Sequence, residues 1–208
     1  VFAGEASSVP IDLVAGENLA RIDFSLSGDD LRLTNLLLAS ARPEIASVSL
    51  APGGSNQSAL TFVAAPTYSL PAAATLAQFH FQTTTNGSSA FVPLRPTFLS
   101  GELLNGTPVT NGFGRSGRIV FIHAEPLLDA LRLPPQLTLW GHPSQTYNIE
   151  FIANLAMPGP WFTFTNVTLT NVSAIVPVPP VCFIIFITAP VRIIPVNWMQ
   201  SVYFISWI

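Results

Sequence analysis

The chain has 208 residues, long enough for one large or two small domains with a real core, and 49% of them are apolar. Only 9% are charged, against about 25% in ordinary soluble domains. All eight basic residues are Arg, scattered from Arg21 to Arg192 in a chain of net charge −3, which offers no phosphate-binding stripe and argues against nucleic acid.

Residues 9–14 predict a first strand, which Pro10 marks as an edge or as a strand entry. Residues 20–26 alternate cleanly, with Ile22, Phe24 and Leu26 on one face and Arg21, Asp23 and Ser25 on the other. That pattern belongs to a strand with one face on a core and one in water. Residues 27–33 read as a turn or a single helical turn carrying Asp29 and Asp30. Residues 45–50, 59–64, 75–82, 90–93 and 118–122 continue the series of strands. Three turns are spelled Asn-Gly, at Asn86-Gly87, Asn105-Gly106 and Asn111-Gly112, and this dipeptide is the strongest short-range hairpin signal.

Leu19-Ala-Arg-Ile-Asp-Phe-Ser-Leu26 is followed by Asp29-Asp30-Leu31, then by Leu76-Ala-Gln-Phe-His-Phe81 and by Gly117-Arg-Ile-Val-Phe-Ile122. Together these segments resemble the cohesin-like family of extracellular β-sandwiches, over residues 5–123. The resemblance implies a jelly-roll used for protein–protein attachment at cell surfaces, and a dockerin-like partner class; it brings no catalytic residue with it.

Residues 124–133 predict a short helical connector through Leu127, Leu128 and Leu131, closed by Pro134-Pro135. Strands follow at 137–141, 146–151 and 161–169, in an order that looks like small β-modules at the C-termini of secreted bacterial proteins. From Val176 onward Pro177-Val-Pro-Pro180 is stiff and extended, and residues 181–188 are almost wholly apolar. Pro190, Arg192, Pro195 and Asn197 interrupt the apolar tail, so buried strands are expected there and not a membrane span. The expected architecture is all-β: two β-sandwich modules of jelly-roll or Ig-like type, 1–123 and 136–208, joined by a linker at 124–135 and ending in an apolar C-terminal segment.

Chemistry is sparse. Gly112-Phe-Gly114-Arg-Ser-Gly117 matches the dinucleotide fingerprint by letter, but a strand is expected after it where the fingerprint needs a helix. His80, His123 and His142 share no zinc-ligand spacing, and no Gly-x-Ser-x-Gly nucleophile elbow is present. Asp23, Asp29 and Asp30 lack calcium-loop spacing and read as solvated turn carboxylates. The lone Cys182 excludes an internal disulfide and reads as a buried, inert thiol. No catalytic, cofactor or metal site is therefore expected, and the chain does not read as an enzyme.

Five Asn sit in Asn-x-Ser/Thr: Asn56, Asn86, Asn105, Asn166 and Asn171, with Pro108 making Asn105 a poorer acceptor. In a cell that glycosylates, Asn56, Asn86, Asn166 and Asn171 mark surface loops of a secreted protein. No Met and no basic leader precede Val1, so the chain is expected to be a mature product. These features converge on a structural subunit of an extracellular fibre, pilus-like filament or surface layer. Its copies would join into a homopolymer by β-strand addition, with Val181, Phe183, Ile185, Ile193, Trp198 and Phe204 as the interface strand. The alternative is a monomeric cell-surface attachment module that binds a dockerin-like protein or a glycan.

Overall fold

The computed structural model describes residues 1–14, 16–28, 31–53, 57–131, 136–151, 160–176 and 191–195. Among them there is no helix: the chain is all-β. It divides into two compact units, the first holding residues 1–87 and 91–121, the second 88–90 and 122–208.

The first unit is built from β1 (Ala6–Leu13), β2 (Leu19–Ser27), β3 (Leu33–Ser40), β4 (Ile45–Pro52), β5 (Gln57–Ala64), β6 (Ala74–Thr83), β7 (Ala90–Leu103), β8 (Pro108–Val109) and β9 (Gly117–Phe121). A three-stranded sheet runs β1-β6-β3, and a six-stranded sheet runs β4-β5-β2-β7-β8 with β9 added to β7. Both sheets feed one core. Phe79 and Phe81 of β6 share it with Ile22 of β2, Leu60 and Phe62 of β5, and Ile119 and Phe121 of β9. The alternation in β2 is what places these groups: Ile22 and Leu26 are buried, and Phe24 stacks on Phe62 at 5.9 Å between ring centroids. On the opposite face of β2, Arg21 grips Asp23 through two hydrogen bonds of 2.7 and 2.8 Å, and Thr61 Oγ1 donates to the same carboxylate at 2.6 Å.

Three local expectations need correction. Residues 33–40 form β3, which no alternation announces, because a bulge between Thr34 and Leu37 breaks the register and holds Asn35 at φ 52°. β7 continues past residue 93 to Leu103 in spite of Pro93 and Pro96, and Leu26 of β2 stands opposite Pro96. Of the three Asn-Gly turns only Asn105-Gly106 closes a hairpin, between β7 and β8: Gly106 has φ 81°, and its N–H donates to Leu103 O. Asn86-Gly87 joins β6 to β7, which lie in different sheets. Asn111-Gly112 lies in the extended stretch between β8 and β9.

The second unit contains β10 (Leu127–Leu131), β11 (Gln136–Trp140), β12 (Thr146–Phe151), β13 (Phe162–Thr168), β14 (Ser173–Val176) and β15 (Val191–Pro195). The helical connector expected at 124–133 is strand β10, in antiparallel register with β11 from Leu127–Trp140 to Leu131–Gln136. Pairing across the sheet outweighs local propensity in so short a segment, with Pro126 on one side and Pro134 on the other. One sheet runs β10-β11-β14 and the other β13-β12-β15. Leu128, Leu137, Leu139, Tyr147, Ile149, Leu169 and Val176 make the buried cluster of this unit.

Candidate functional site

The histidines are divided between the units, His80 in the first and His123 and His142 in the second. His80 lies on β6 between register partners Ser8 of β1 and Leu37 of β3, facing away from Phe79 and Phe81 as the alternation predicts. It lines a shallow, open depression with Ser8, Asn35, Leu37 and Gln82, where Asn35 Nδ2 donates to Gln82 Oε1 at 2.7 Å. No carboxylate lines this depression. In the second unit, the His142 ring meets the backbone carbonyl of His123, and His123 N–H donates to Ser89 Oγ at 2.8 Å. Ser89 Oγ donates in turn to the Glu125 carbonyl. That network ties loop backbone together. Among the described residues no group of three or more His, Cys, Asp or Glu could hold a metal ion.

The glycines of the fingerprint have a packing role. Gly117 opens β9, a strand, where the dinucleotide motif requires a helix N-terminus. Gly112 lies against the Leu99 side chain and Gly114 against the Pro96 ring, so a Cβ at either position would collide with β7. The two glycines let the chain at 112–114 lie close against β7.

Tyr147 anchors the second unit. Its ring is fully buried beside Ile149 and Leu169, while its hydroxyl accepts from His142 N–H at 2.9 Å and donates to Gln145 Oε1 at 3.0 Å. Burial pushes the phenol pKa up, opposed by the hydrogen bond from the His142 backbone. Gly141 leaves the room this requires: a Cβ there would lie 2.6 Å from the hydroxyl and 2.8 Å from the ring carbon bearing it.

The sequon asparagines Asn86, Asn105, Asn166 and Asn171 are all exposed. Asn105 Oδ1 accepts from Thr107 N–H at 3.0 Å, so its side chain is engaged inside its own triplet. Asn56 lies outside the described residues, as do Asp29 and Asp30. Of the expected interface strand, Val181, Phe183, Ile185, Trp198 and Phe204 lie outside them too, together with Cys182. Ile193 is in β15, opposite Ile149 of β12, so its backbone is already part of a sheet within this chain.

One open sheet edge belongs to β4. It ends the six-stranded sheet, pairs with β5 alone along its length, and reads Ile45-Ala-Ser-Val-Ser-Leu-Ala-Pro52 without a single charge. Sequence reading located the strand but not its position at the sheet edge, which depends on which strands come to lie beside it. No helix among the described residues is long and apolar enough to cross a membrane. Neither a protein-family model nor a curated protein matches the chain.

Proposed function

We propose that the protein is a structural subunit of an extracellular assembly, a fibre, pilus-like filament or surface layer, whose copies join by adding a β-strand to an open sheet edge. The observation that carries this reading is the uncharged outer edge of β4. An edge strand offers a row of N–H and C=O groups to any passing strand, and soluble proteins blunt such edges with charge, proline or bulges. The β4 bulge falls between Ile45 and Ser47, and its proline is the last residue, Pro52. Residues 48–51 between them remain regular.

In this proposal the donor is the apolar run that contains Val181, Phe183 and Ile185, with Ile193, Trp198 and Phe204 in the segment that follows. The first unit serves as a cohesin-like β-sandwich and the second as a small β-sandwich module in tandem with it. Support for both comes from the two sheets that feed one core in each unit. The extracellular placement draws on the charge-poor composition and on the exposed sequons, with Asn86, Asn166 and Asn171 as glycosylation sites.

Light scattering and negative-stain electron microscopy test the proposal. The wild-type chain is expected to form regular polymers that only denaturant disperses. Ser49→Lys on β4 is expected to leave a smaller species, and removal of residues 181–208, which also takes β15 away from β12, to abolish polymers or unfold the chain. A wild-type protein that stays at the 22.3 kDa monomer mass at all concentrations overturns the reading and leaves the attachment module in its place.

A further inference from the structure

The first unit carries opposite charges at two places that cannot reach each other. Gly112 lies against Leu99, Gly114 against Pro96, and the Arg118 guanidinium over the Phe91 ring at 4.7 Å, so residues 112–118 run antiparallel alongside β7. Arg95, Arg115 and Arg118 are exposed along this strip, and Phe98 and Phe113 are each 80% exposed. No Asp or Glu occurs in residues 91–101 or 112–121. Three of the eight Arg, scattered in the sequence, thus gather on one strip with two bare aromatic rings. Phe98 is also held at φ 54°, a left-handed conformation that a bulky side chain adopts only under strain. It lies in the β-bulge where β7 slips register against Asp23 and Ser25 of β2, between Thr97 and Ser100.

At the other end of β7 the composition reverses. The β1–β2 connection and the β7–β8 turn are joined by a hydrogen bond from Leu104 N–H to Asn18 O at 2.8 Å. Glu17 and Glu102 are exposed there, Val14 is 75% exposed and Leu104 48%. Residues 12–18 and 102–108 contain no Arg; Arg21 stands opposite Glu102, but its guanidinium is held by two hydrogen bonds to the Asp23 carboxylate, so acid stays in surplus at this end. Seven residues of strand separate Arg95 from Glu102, which is about 20 Å at strand rise. That is beyond direct contact and about two Debye lengths at physiological salt.

We infer that the Arg/Phe strip of one copy docks on the Glu17/Glu102 end of a second copy. The two patches match in kind: cations and aromatic rings on one, carboxylates and aliphatic side chains on the other. Because the patches differ, the contact is heterologous, and repetition of it gives an open chain of subunits and not a closed pair. The inference rests on the self-assembly proposed above and adds to it the direction in which successive subunits are laid.

Sedimentation velocity on the full chain tests it, with circular dichroism melts as the control for folding. The double variant Arg95→Glu/Arg115→Glu, and separately Glu17→Arg/Glu102→Gln, are each expected to need at least tenfold more protein to assemble. An equimolar mixture of the two variants is expected to recover association, as mixed pairs. Phe98→Asn removes a ring and relieves the positive φ, so it is expected to melt no lower than wild type while assembling more weakly. Normal assembly by both charge variants, with the fold intact, overturns the docking geometry and leaves strand addition standing. A wild type that never associates overturns both, and binding of an acidic polysaccharide by that monomer, lost in Arg95→Glu/Arg115→Glu, would reassign the strip to a glycan.

Discussion

Replacing Tyr147 by Phe is a direct test of how the second unit is held together. The ring stays in its place beside Ile149 and Leu169, so the apolar burial is unchanged, and only the hydroxyl is lost. Two hydrogen bonds go with it, from His142 N–H at 2.9 Å and to Gln145 Oε1 at 3.0 Å. A net hydrogen bond is worth about 1 kcal/mol, and an orphaned, partly buried N–H costs about 1–3 kcal/mol, so the expected loss is about 1–3 kcal/mol. For a unit of this size that lowers the melting temperature by roughly 5–20 °C. Differential scanning calorimetry should show the shift in one transition only, if the two units melt separately. Alkaline titration adds a signature specific to the phenol. Its folded pKa is raised above the ordinary phenol value of 10.0, so the folded state holds the proton more tightly than the unfolded chain does. The wild type therefore keeps this contribution below about pH 10 and loses it as the pH rises through the folded pKa; Tyr147→Phe has no such slope to lose. A variant that melts within about 1 °C of wild type at pH 7 refutes the reasoning, because the hydroxyl would then hold nothing in place.

Phe62, fully buried and stacked on Phe24, lies at the centre of the first unit; Phe62→Ala is expected to cost about 3–5 kcal/mol in urea unfolding followed by tryptophan-independent far-UV dichroism. For Asp23, hydrogen bonding to Arg21 lowers the carboxyl pKa, with burial opposing and the Thr61 hydroxyl assisting. Its contribution is therefore present above the ordinary carboxylate pKa and fades as pH falls through the lowered value. Asp23→Asn should lose under about 1 kcal/mol at pH 7, since both partners are substantially exposed, and its acid-unfolding curve should be shallower than that of wild type.

What could be read in advance followed local periodicity. The alternation in β2 and β6 placed Ile22 and Leu26, and Phe79 and Phe81, in the core, with Phe24 only partly buried. β3 was illegible because its bulge spends Asn35 and Leu36 out of register, and no periodic rule survives an inserted residue. β10 carried a helix-like spacing of leucines, and only its partner β11 makes it a strand. The surfaces that matter for the proposed function were less legible still. Whether β4 is an edge depends on which strands flank it, and the Arg/Phe strip joins residues about twenty positions apart along β7 and the approach to β9. The glycines at 112 and 114 match a phosphate-loop fingerprint by letter alone, and what they accommodate is Leu99 and Pro96.

The position of β2 sets a timetable for the chain as it is made. Arg21 stands opposite Val63 on one side and opposite Glu102 on the other. Hydrogen bonding on the second side must wait until β7 has left the ribosome, some eighty residues later, a delay of roughly 4–16 s at ordinary elongation rates of about 5–20 residues per second. Through that interval the middle of the larger sheet is itself an edge, and it is lined by Leu-Ala-Arg-Ile-Asp-Phe-Ser-Leu26, whose Arg21 and Asp23 are its only charges. A protein whose finished form is read here as adding strands to an open edge therefore passes through a nascent form with one more such edge. Keeping neighbouring nascent chains apart until Leu103 has emerged is then as much a condition of correct assembly as any contact in the folded subunit.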